Sequence, residues 1–412
     1  MSKKIEKCRI CGNRELVEVL DLGQQALTGV FPASRTQPVT SGPLRLVKCM
    51  GDQACGLLQL QHSYDLSEMY GLNYGYRSGL NKSMVEHLHG KVRAILPRVE
   101  LSSDSLVIDI GSNDSTTLQA YPKTVGNLVG IDPTGVKFGH YYPPHIQLIP
   151  DFFSARRVQE AYGTKKATVI TSFSMFYDLE EPLVFMQEVF DSLDAEGLWV
   201  FEQSYMPTML KMNSYDTVCH EHLEYYGLKQ IQWMAQRVGF TIVDMEFNDV
   251  NGGSFSVVAA KTGSRQAQNA KPIDRLLEDE RRLGLDTLQP YREFAARTQA
   301  SRETLVGFID KAIQSGKSVC ALGASTKGNV LLQYCGLDEK RVSRIGEVNE
   351  TKYGCYAPGS LIPIVSESDL LKSNPDYLLV LPWHFRTFFL NLSSLRGRNL
   401  LFPLPTLEIV RP

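Results

Sequence analysis

A rhythm of short apolar runs separated by amphipathic segments constrains this chain more than any other feature. The runs are LVIDI (106–110), LVGID (128–132), IQLI (146–149), ATVITSF (167–173) and LWVFEQ (198–203). Helically spaced segments stand between them, including EPLVFMQEVFDSL (181–193). Apolar strands alternating with amphipathic helices predict a parallel sheet covered on both faces. FTIVDMEFND and SFSVVAAK flank Val250–Gly253 and read as a closing antiparallel hairpin. After a charged helical stretch at 270–316, a second α/β run carries SVCALGAS, RIGEV, DYLLVLP and NLLFPL. The expected fold class is α/β in three parts: a small module over 1–65, a central Rossmann-like domain over 66–262, and a second Rossmann-like domain over 263–412.

The bulk properties narrow the function. The 412 residues carry a formal charge of −2, so there is no basic footprint of the kind phosphate-backbone binding needs, and no nucleic-acid partner is expected. No apolar run approaches the roughly 18–20 residues of a membrane span. The first residues, MSKKIEKCRICGN, lack the apolar stretch of a signal peptide, which makes a cytoplasmic protein the expectation. The oligomeric state is not legible.

Four of the eight cysteines fall in the first 55 residues: Cys8, Cys11, Cys49 and Cys55. Two local pairs joined by a loop can close a tetrahedral zinc site, the alternative being four unrelated thiols. The wider second spacing, Cys49-x5-Cys55, is the weaker half of that pattern. Four thiolates leave no open position, so the metal would be structural.

A second candidate site follows the first apolar run, in Asp109-Ile-Gly111-Ser-Asn113-Asp114. A glycine at such a strand-to-helix turn lets backbone approach a ligand closely. Asp132 ends the next strand, where a carboxylate can accept both ribose hydroxyls. Asp151 and Phe152 follow the third strand and are candidates to hold an adenine. The loop lacks the full G-x-G-x-x-G of dinucleotide enzymes, which favours S-adenosylmethionine over NAD, with another nucleotide as the alternative.

The third is an insertion at 203–227, which holds the densest titratable cluster: Tyr215-Asp216-Thr217-Val-Cys219-His220-Glu221-His222-Leu-Glu224-Tyr225-Tyr226. A histidine near its ordinary pKa, oriented by a carboxylate, suits proton abstraction. In an extended segment, His220 and His222 would face the same side. A helix cap bearing exposed histidines is the bland reading. His-x-His lacks the spacing of zinc hydrolases. In the second α/β run, GASTKGN (323–329) places Lys327 at a strand-to-helix turn, either an anion site or a packing turn with a solvated lysine.

Taken together, the four-cysteine module, VIDIGSNDSTTL, HEHLEYYGL, GASTKGN and DYLLVLPWH occur in an order that resembles the sugar C-methyltransferases of tetronitrose and mycarose pathways. These act at C-3 of nucleotide-linked 4-keto-6-deoxyhexoses. The resemblance spans nearly the whole chain. It implies a zinc-binding N-terminal domain, a class I methyltransferase domain and a C-terminal Rossmann-like domain that helps hold the nucleotide sugar. It implies His222 as the base that removes the C-3 proton, with Glu221 as the adjacent carboxylate; His220, two residues away, is the competitor by position. Tyr74 and Tyr76 match a tyrosine-bearing segment over the sugar, with Tyr76 favoured as a catalytic contributor. Glu224, Lys327 and Asn329 fall to substrate binding, with Lys327 for the pyrophosphate. Two positions depart from the pattern: some members carry Tyr at Cys219 and His at Tyr177. These departures leave the C-3 substituent and stereochemistry open, as is the carrier, dTDP or GDP. The rival functions are methyl transfer to oxygen or nitrogen of a small metabolite, a zinc module that reads nucleic acid, and a silent subunit.

Overall fold

The computed structural model describes residues 2–69 and 75–412; Tyr74 lies outside the described residues. The N-terminal part is built of strands. β1 (Lys3–Lys4), β2 (Leu16–Ala26), β3 (Ser41–Cys49), β4 (Leu58–Leu60) and β5 (His62–Ser63) make two antiparallel sets, β1 with β5 and β2-β3-β4.

The central sheet contains β6 (Leu106–Ile110), β7 (Asn127–Ile131), β8 (Ile146–Ile149), β9 (Ala167–Phe173) and β10 (Leu193–Ser204), all parallel. Every residue of β6 is buried, the pattern of a central parallel strand covered on both faces. The expected helix forms over Pro182–Ser192, its apolar side turned to the core through Phe185, Met186 and Val189. β10 begins five residues earlier than its apolar run because a register irregularity between Leu193 and Leu198 extends the pairing to β9.

The 203–227 insertion leaves this sheet. Its short strand β11 (Glu224–Tyr225) pairs antiparallel with β4, Glu224 opposite Gln59 and Tyr225 opposite Leu58. The hairpin β12 (Phe240–Asn248) and β13 (Ser254–Lys261) returns to the central sheet, whose order is β12-β13-β10-β9-β6-β7-β8. Its turn needs glycine: Gly253 has φ 120°, and a Cβ there would lie 2.3 Å from Thr208 Cγ2.

The third sheet is β14 (Val319–Leu322), β15 (Ile345–Glu347), β16 (Ile364–Ser366), β17 (Tyr377–Val380), β18 (Asn399–Phe402) and β19 (Glu408–Val410), ordered β16-β15-β14-β17-β18-β19. It is parallel except for β19. β16 and β19 were not expected: both are three residues long and, unlike the fully buried β15, are only partly buried, so neither a period nor an apolar run marks them.

The hydrophobic cores cross the sequence-level boundaries. One packs Cys8, Ile10, Cys49, Cys55 and Leu57 with Trp199 and Phe201 of the central sheet and Tyr226 of the insertion. Another packs Leu44, Leu46 and Leu58 with Tyr215, Val218 and Tyr225 of the insertion and with the whole C-terminal sheet. The insertion therefore sits where all three parts meet. Among the described residues no helix is long and apolar enough to cross a membrane.

Candidate functional site

In the cysteine cluster, the Cys8 and Cys55 sulfurs are 3.5 Å apart, as are those of Cys11 and Cys49, and all four lie within 4.8 Å of one another. Thiolates about 2.3 Å from a tetrahedral zinc stand roughly 3.8 Å apart, so this donor set fits the ion. The Asn13 amide donates to Cys49 Sγ at 3.4 Å, the kind of outer contact that steadies a thiolate ligand. Between the first two cysteines, Arg9 reaches inward. Its Nη1 donates to the Leu60 carbonyl at 2.6 Å and its Nη2 to Ser63 Oγ at 3.0 Å. Its Nε lies 3.3 Å from Glu180 and 3.7 Å from Glu224.

At the crevice of the central sheet, Gly111 has φ +70° and the Met175 side chain would lie 3.1 Å from a Cβ. Asp132 is buried. Its Oδ2 accepts from Asn113 N at 2.7 Å, and its Oδ1 accepts from both Thr134 N and Thr134 Oγ1 at 2.6 Å. Burial raises its carboxyl above the usual range, opposed by those bonds. Asp109 lies beneath the loop, accepts from Thr171 Oγ1, and is pushed up to about 7 by burial.

Asn113 turns away from the crevice floor. Its Oδ1 accepts from Ser78 N at 3.0 Å, and its Nδ2 donates to the Tyr76 carbonyl at 3.2 Å. Asp114 adds an ion pair to Arg77 at 3.3 Å and accepts from Gly79 N at 2.9 Å. The loop thus anchors the segment that carries Tyr76, an exposed residue. Arg77, stacked over Tyr141 at 4.2 Å, was missed, although it directly follows Tyr76. Asp151 pairs with Arg157, and Phe152 is exposed beside it.

The HEH segment is not extended. A turn from Cys219 to His222, with His222 N donating to the Cys219 carbonyl at 3.2 Å, sends the two histidines apart. His220 is fully buried against Tyr64, ring centroids 4.6 Å apart, and burial lowers it to about 4. His222 faces a small cavity lined also by Tyr177, Ser204, Met206, Thr217 and Glu224. Its Nδ1 is 2.9 Å from the Thr217 carbonyl oxygen, which can only accept. Nδ1 therefore carries the proton and Nε2 keeps a lone pair. The ring packs edge-on to Tyr177 at 4.4 Å.

Two expectations are corrected here. His222 is lowered to about 3 rather than held near neutral, first by burial and then by the charge of Lys327. And the partner orienting it is the Thr217 carbonyl, not Glu221. Glu221 accepts from Thr28 Oγ1 at 3.3 Å and crowds Gly29, whose added Cβ would lie 2.7 Å from Glu221 Oε1. Glu224 is buried beside Arg9, and burial raises its carboxyl well above the usual range. Cys219 is fully buried, its thiol raised well above the usual value by burial.

The C-terminal part reaches the 215–217 turn that holds His222, and the β12–β13 turn beside it. Trp383 Nε1 donates to Asp216 Oδ2 at 2.8 Å, and Lys327 Nζ donates to the Asn251 carbonyl at 2.7 Å. Asn329 is not available to a substrate as expected. It is wholly buried, and its Nδ2 donates to the Thr28 carbonyl at 2.8 Å, tying the C-terminal part to the N-terminal one. The anion-site reading of GASTKGN is weakened too, because Ala324 N donates to Glu347 Oε2 at 2.7 Å and Gly328 N to Ser325 Oγ at 3.1 Å. The structure brings His222, Tyr177, Glu224 and Thr217 together and adds Asp216, Trp383 and Asn251 nearby. All but Asn251 stood in motifs already singled out, yet nothing local marked their contacts.

Three consecutive stretches of the chain match known families. Residues 8–70 match a zinc binding domain family, residues 84–245 a methyltransferase domain family, and residues 249–405 the C-methyltransferase C-terminal domain family. The chain is 29% identical over 388 residues to the C-methyltransferase NovU of Streptomyces niveus, covering 93% of this chain and 91% of that protein. Among solved structures it is similar to a SAM-dependent methyltransferase of Archaeoglobus fulgidus, at 12% identity and TM-score 0.35 over 43% of this chain and 94% of that one. It is also similar to Synechocystis magnesium protoporphyrin IX methyltransferase with bound SAH, at 13% identity and TM-score 0.33 over 44% of this chain and 83% of that one.

Proposed function

We propose that this chain, an S-adenosylmethionine-dependent C-methyltransferase with a zinc-binding N-terminal module, methylates C-3 of a nucleotide-linked 4-keto-6-deoxy sugar through an enolate. The observation that carries the reading is His222: a neutral imidazole held by the Thr217 carbonyl, its free lone pair at a cavity beyond the C-terminal end of β10. A carbon acid needs such a base, whereas a hydroxyl or amine acceptor needs less help. The neighbouring C-4 ketone makes the C-3 proton acidic enough for an imidazole to remove.

S-adenosylmethionine supplies an electrophilic methyl group when bound. Asp132 would accept from the ribose through the one lone-pair site on Oδ2 that its three loop contacts leave free, Gly111 would let the backbone approach, and Asp109 and Asn113 support the loop. Asp151 and the exposed Phe152, just past the end of β8, would hold the adenine. Tyr76 would cover the sugar, while Tyr177 and Glu224, which line the cavity with His222, would shape the space around C-3 and C-4; Cys219 lies buried behind them. His222 Nε2 receives the C-3 proton.

The test offers the enzyme dTDP- and GDP-linked 4-keto-6-deoxyhexoses deuterated at C-3. The expected result is a new carbon–methyl bond with loss of the deuterium to solvent. A product methylated on oxygen or nitrogen that keeps its deuterium overturns the reading.

Asp132→Ala removes charge-assisted hydrogen bonds worth roughly 1.5–3 kcal/mol to a ligand. Calorimetry should show S-adenosylmethionine binding weakened tens-fold or more, with added loosening because Asn113 and Thr134 lose their acceptor. Unchanged affinity would remove Asp132 from the site.

A further inference from the structure

The helix Thr326–Tyr334 packs against the 215–217 turn, whose Thr217 carbonyl holds His222. Tyr215 and Tyr334 meet edge-on at 5.4 Å across this contact. In the first turn of that helix, half-buried Lys327 crosses from the C-terminal part to the β12–β13 turn and donates to the Asn251 carbonyl. One hydrogen bond leaves two ammonium N–H groups to donate. Among the described residues the lysines that pair with a carboxylate within 4.0 Å are others, and Lys327 is not one of them. Asp216 approaches from the same turn, wholly buried, with Oδ2 taken by Trp383 and Oδ1 without a hydrogen-bond partner. An ammonium held partly out of water without a contacting counterion is costly, and such groups are candidates to act on charge that appears during a reaction.

We propose that Lys327 is a catalytic residue whose ammonium binds the substrate's carbonyl oxygen and stabilises the enolate formed when His222 takes the neighbouring proton. This rests on the reaction proposed above. The C–H bond breaks, its proton goes to His222 Nε2, and its electron pair becomes the C=C bond. The carbonyl π pair moves onto oxygen, which Lys327 holds as an anion while keeping its own proton. The arrangement resolves a difficulty: a cation beside His222 weakens it as a base. What decides proton transfer is the gap between base and carbon acid, and the same cation acidifies the carbon by stabilising its enolate. The pyrophosphate must then be held elsewhere.

The test measures exchange of the sugar C-3 proton with deuterated solvent in the presence of S-adenosylhomocysteine, alongside binding of dTDP and GDP alone. Lys327→Met should slow exchange and kcat by about 10²–10³-fold, the usual cost of one lost oxyanion donor. KM and nucleotide binding should stay within about threefold. Lys327→Arg, and Lys327→Ala given ethylamine, should recover part of the exchange rate. Lost nucleotide binding or a raised KM with kcat intact would make Lys327 a phosphate anchor and overturn the proposal. Equal exchange in wild type and Lys327→Met would overturn it alone, whereas no exchange in the wild type would overturn the reaction it rests on. A Lys327→Met chain that does not fold leaves the decision to Lys327→Ala, where failure of ethylamine to raise exchange counts against the role.

Discussion

His222→Ala lowers methyl transfer by about 10²–10⁴-fold, the range a positioned general base contributes, and leaves S-adenosylmethionine binding in place. The separation is structural. The imidazole hangs from the insertion and is held by Thr217, whereas the candidate cofactor contacts come from the ends of β6, β7 and β8. Its companion His220 is the control. It lies buried against Tyr64 on the far side of the Cys219–His222 turn, so His220→Ala should cost stability rather than specifically slow proton exchange. In deuterated solvent with S-adenosylhomocysteine, the wild type should exchange the C-3 proton and His222→Ala should not. Equal exchange would remove His222 as the base. Because His222 is lowered to about 3, it stays unprotonated throughout the neutral range. kcat/KM should therefore show no acid limb near pH 6.5, the pH at which an unperturbed imidazole would titrate.

Cys11→Ser, or removal of zinc by a chelator, should unfold much of the chain rather than loosen sixty residues at one end. Apparent zinc-binding free energies in small cysteine sites reach about 10–16 kcal/mol, against roughly 5–15 kcal/mol for a whole domain's stability. Read from spacing alone, the module would fail by itself and leave cofactor binding untouched. The structure couples them. Cys8, Cys49 and Cys55 pack into the same core as Trp199 and Phe201, and Gln230 Nε2 donates to the Cys55 carbonyl at 2.9 Å. Metal analysis should find one zinc per chain, and calorimetry a large drop in melting temperature for Cys11→Ser with cofactor binding lost alongside. A zinc-free Cys11→Ser protein with wild-type melting and cofactor affinity would refute the coupling.

The central strands of the two parallel sheets were legible because runs such as LVIDI and DYLLVLP admit few other structures, whereas the buried three-residue β4 was not. The cysteine cluster was legible because metal chemistry needs few residue types at short spacings. What could not be read was anything decided by contact between distant segments. β11 is two residues long and exists only because β4 offers it an edge. The divergence of His220 and His222 follows from a turn that the neighbouring polar residues do not announce. Lys327 sits at the kind of turn that binds anions in many α/β proteins, yet it spans an interface to a hairpin carbonyl. Asn329 shows the same limit: a polar residue in a motif proves to be a rivet between two parts.

The pairing of β11 with β4 also bears on how such enzymes can diversify. A gene fragment encoding the central part could not be recombined freely with a foreign N-terminal module. The strand it donates must match the edge of the recipient's sheet, and Arg9 must meet Glu224 across the seam. Viable chimeras should therefore exchange residues 8–65 together with the 203–227 insertion, as a single inherited block discontinuous in the gene, and crossovers placed between the apparent modules should yield insoluble protein.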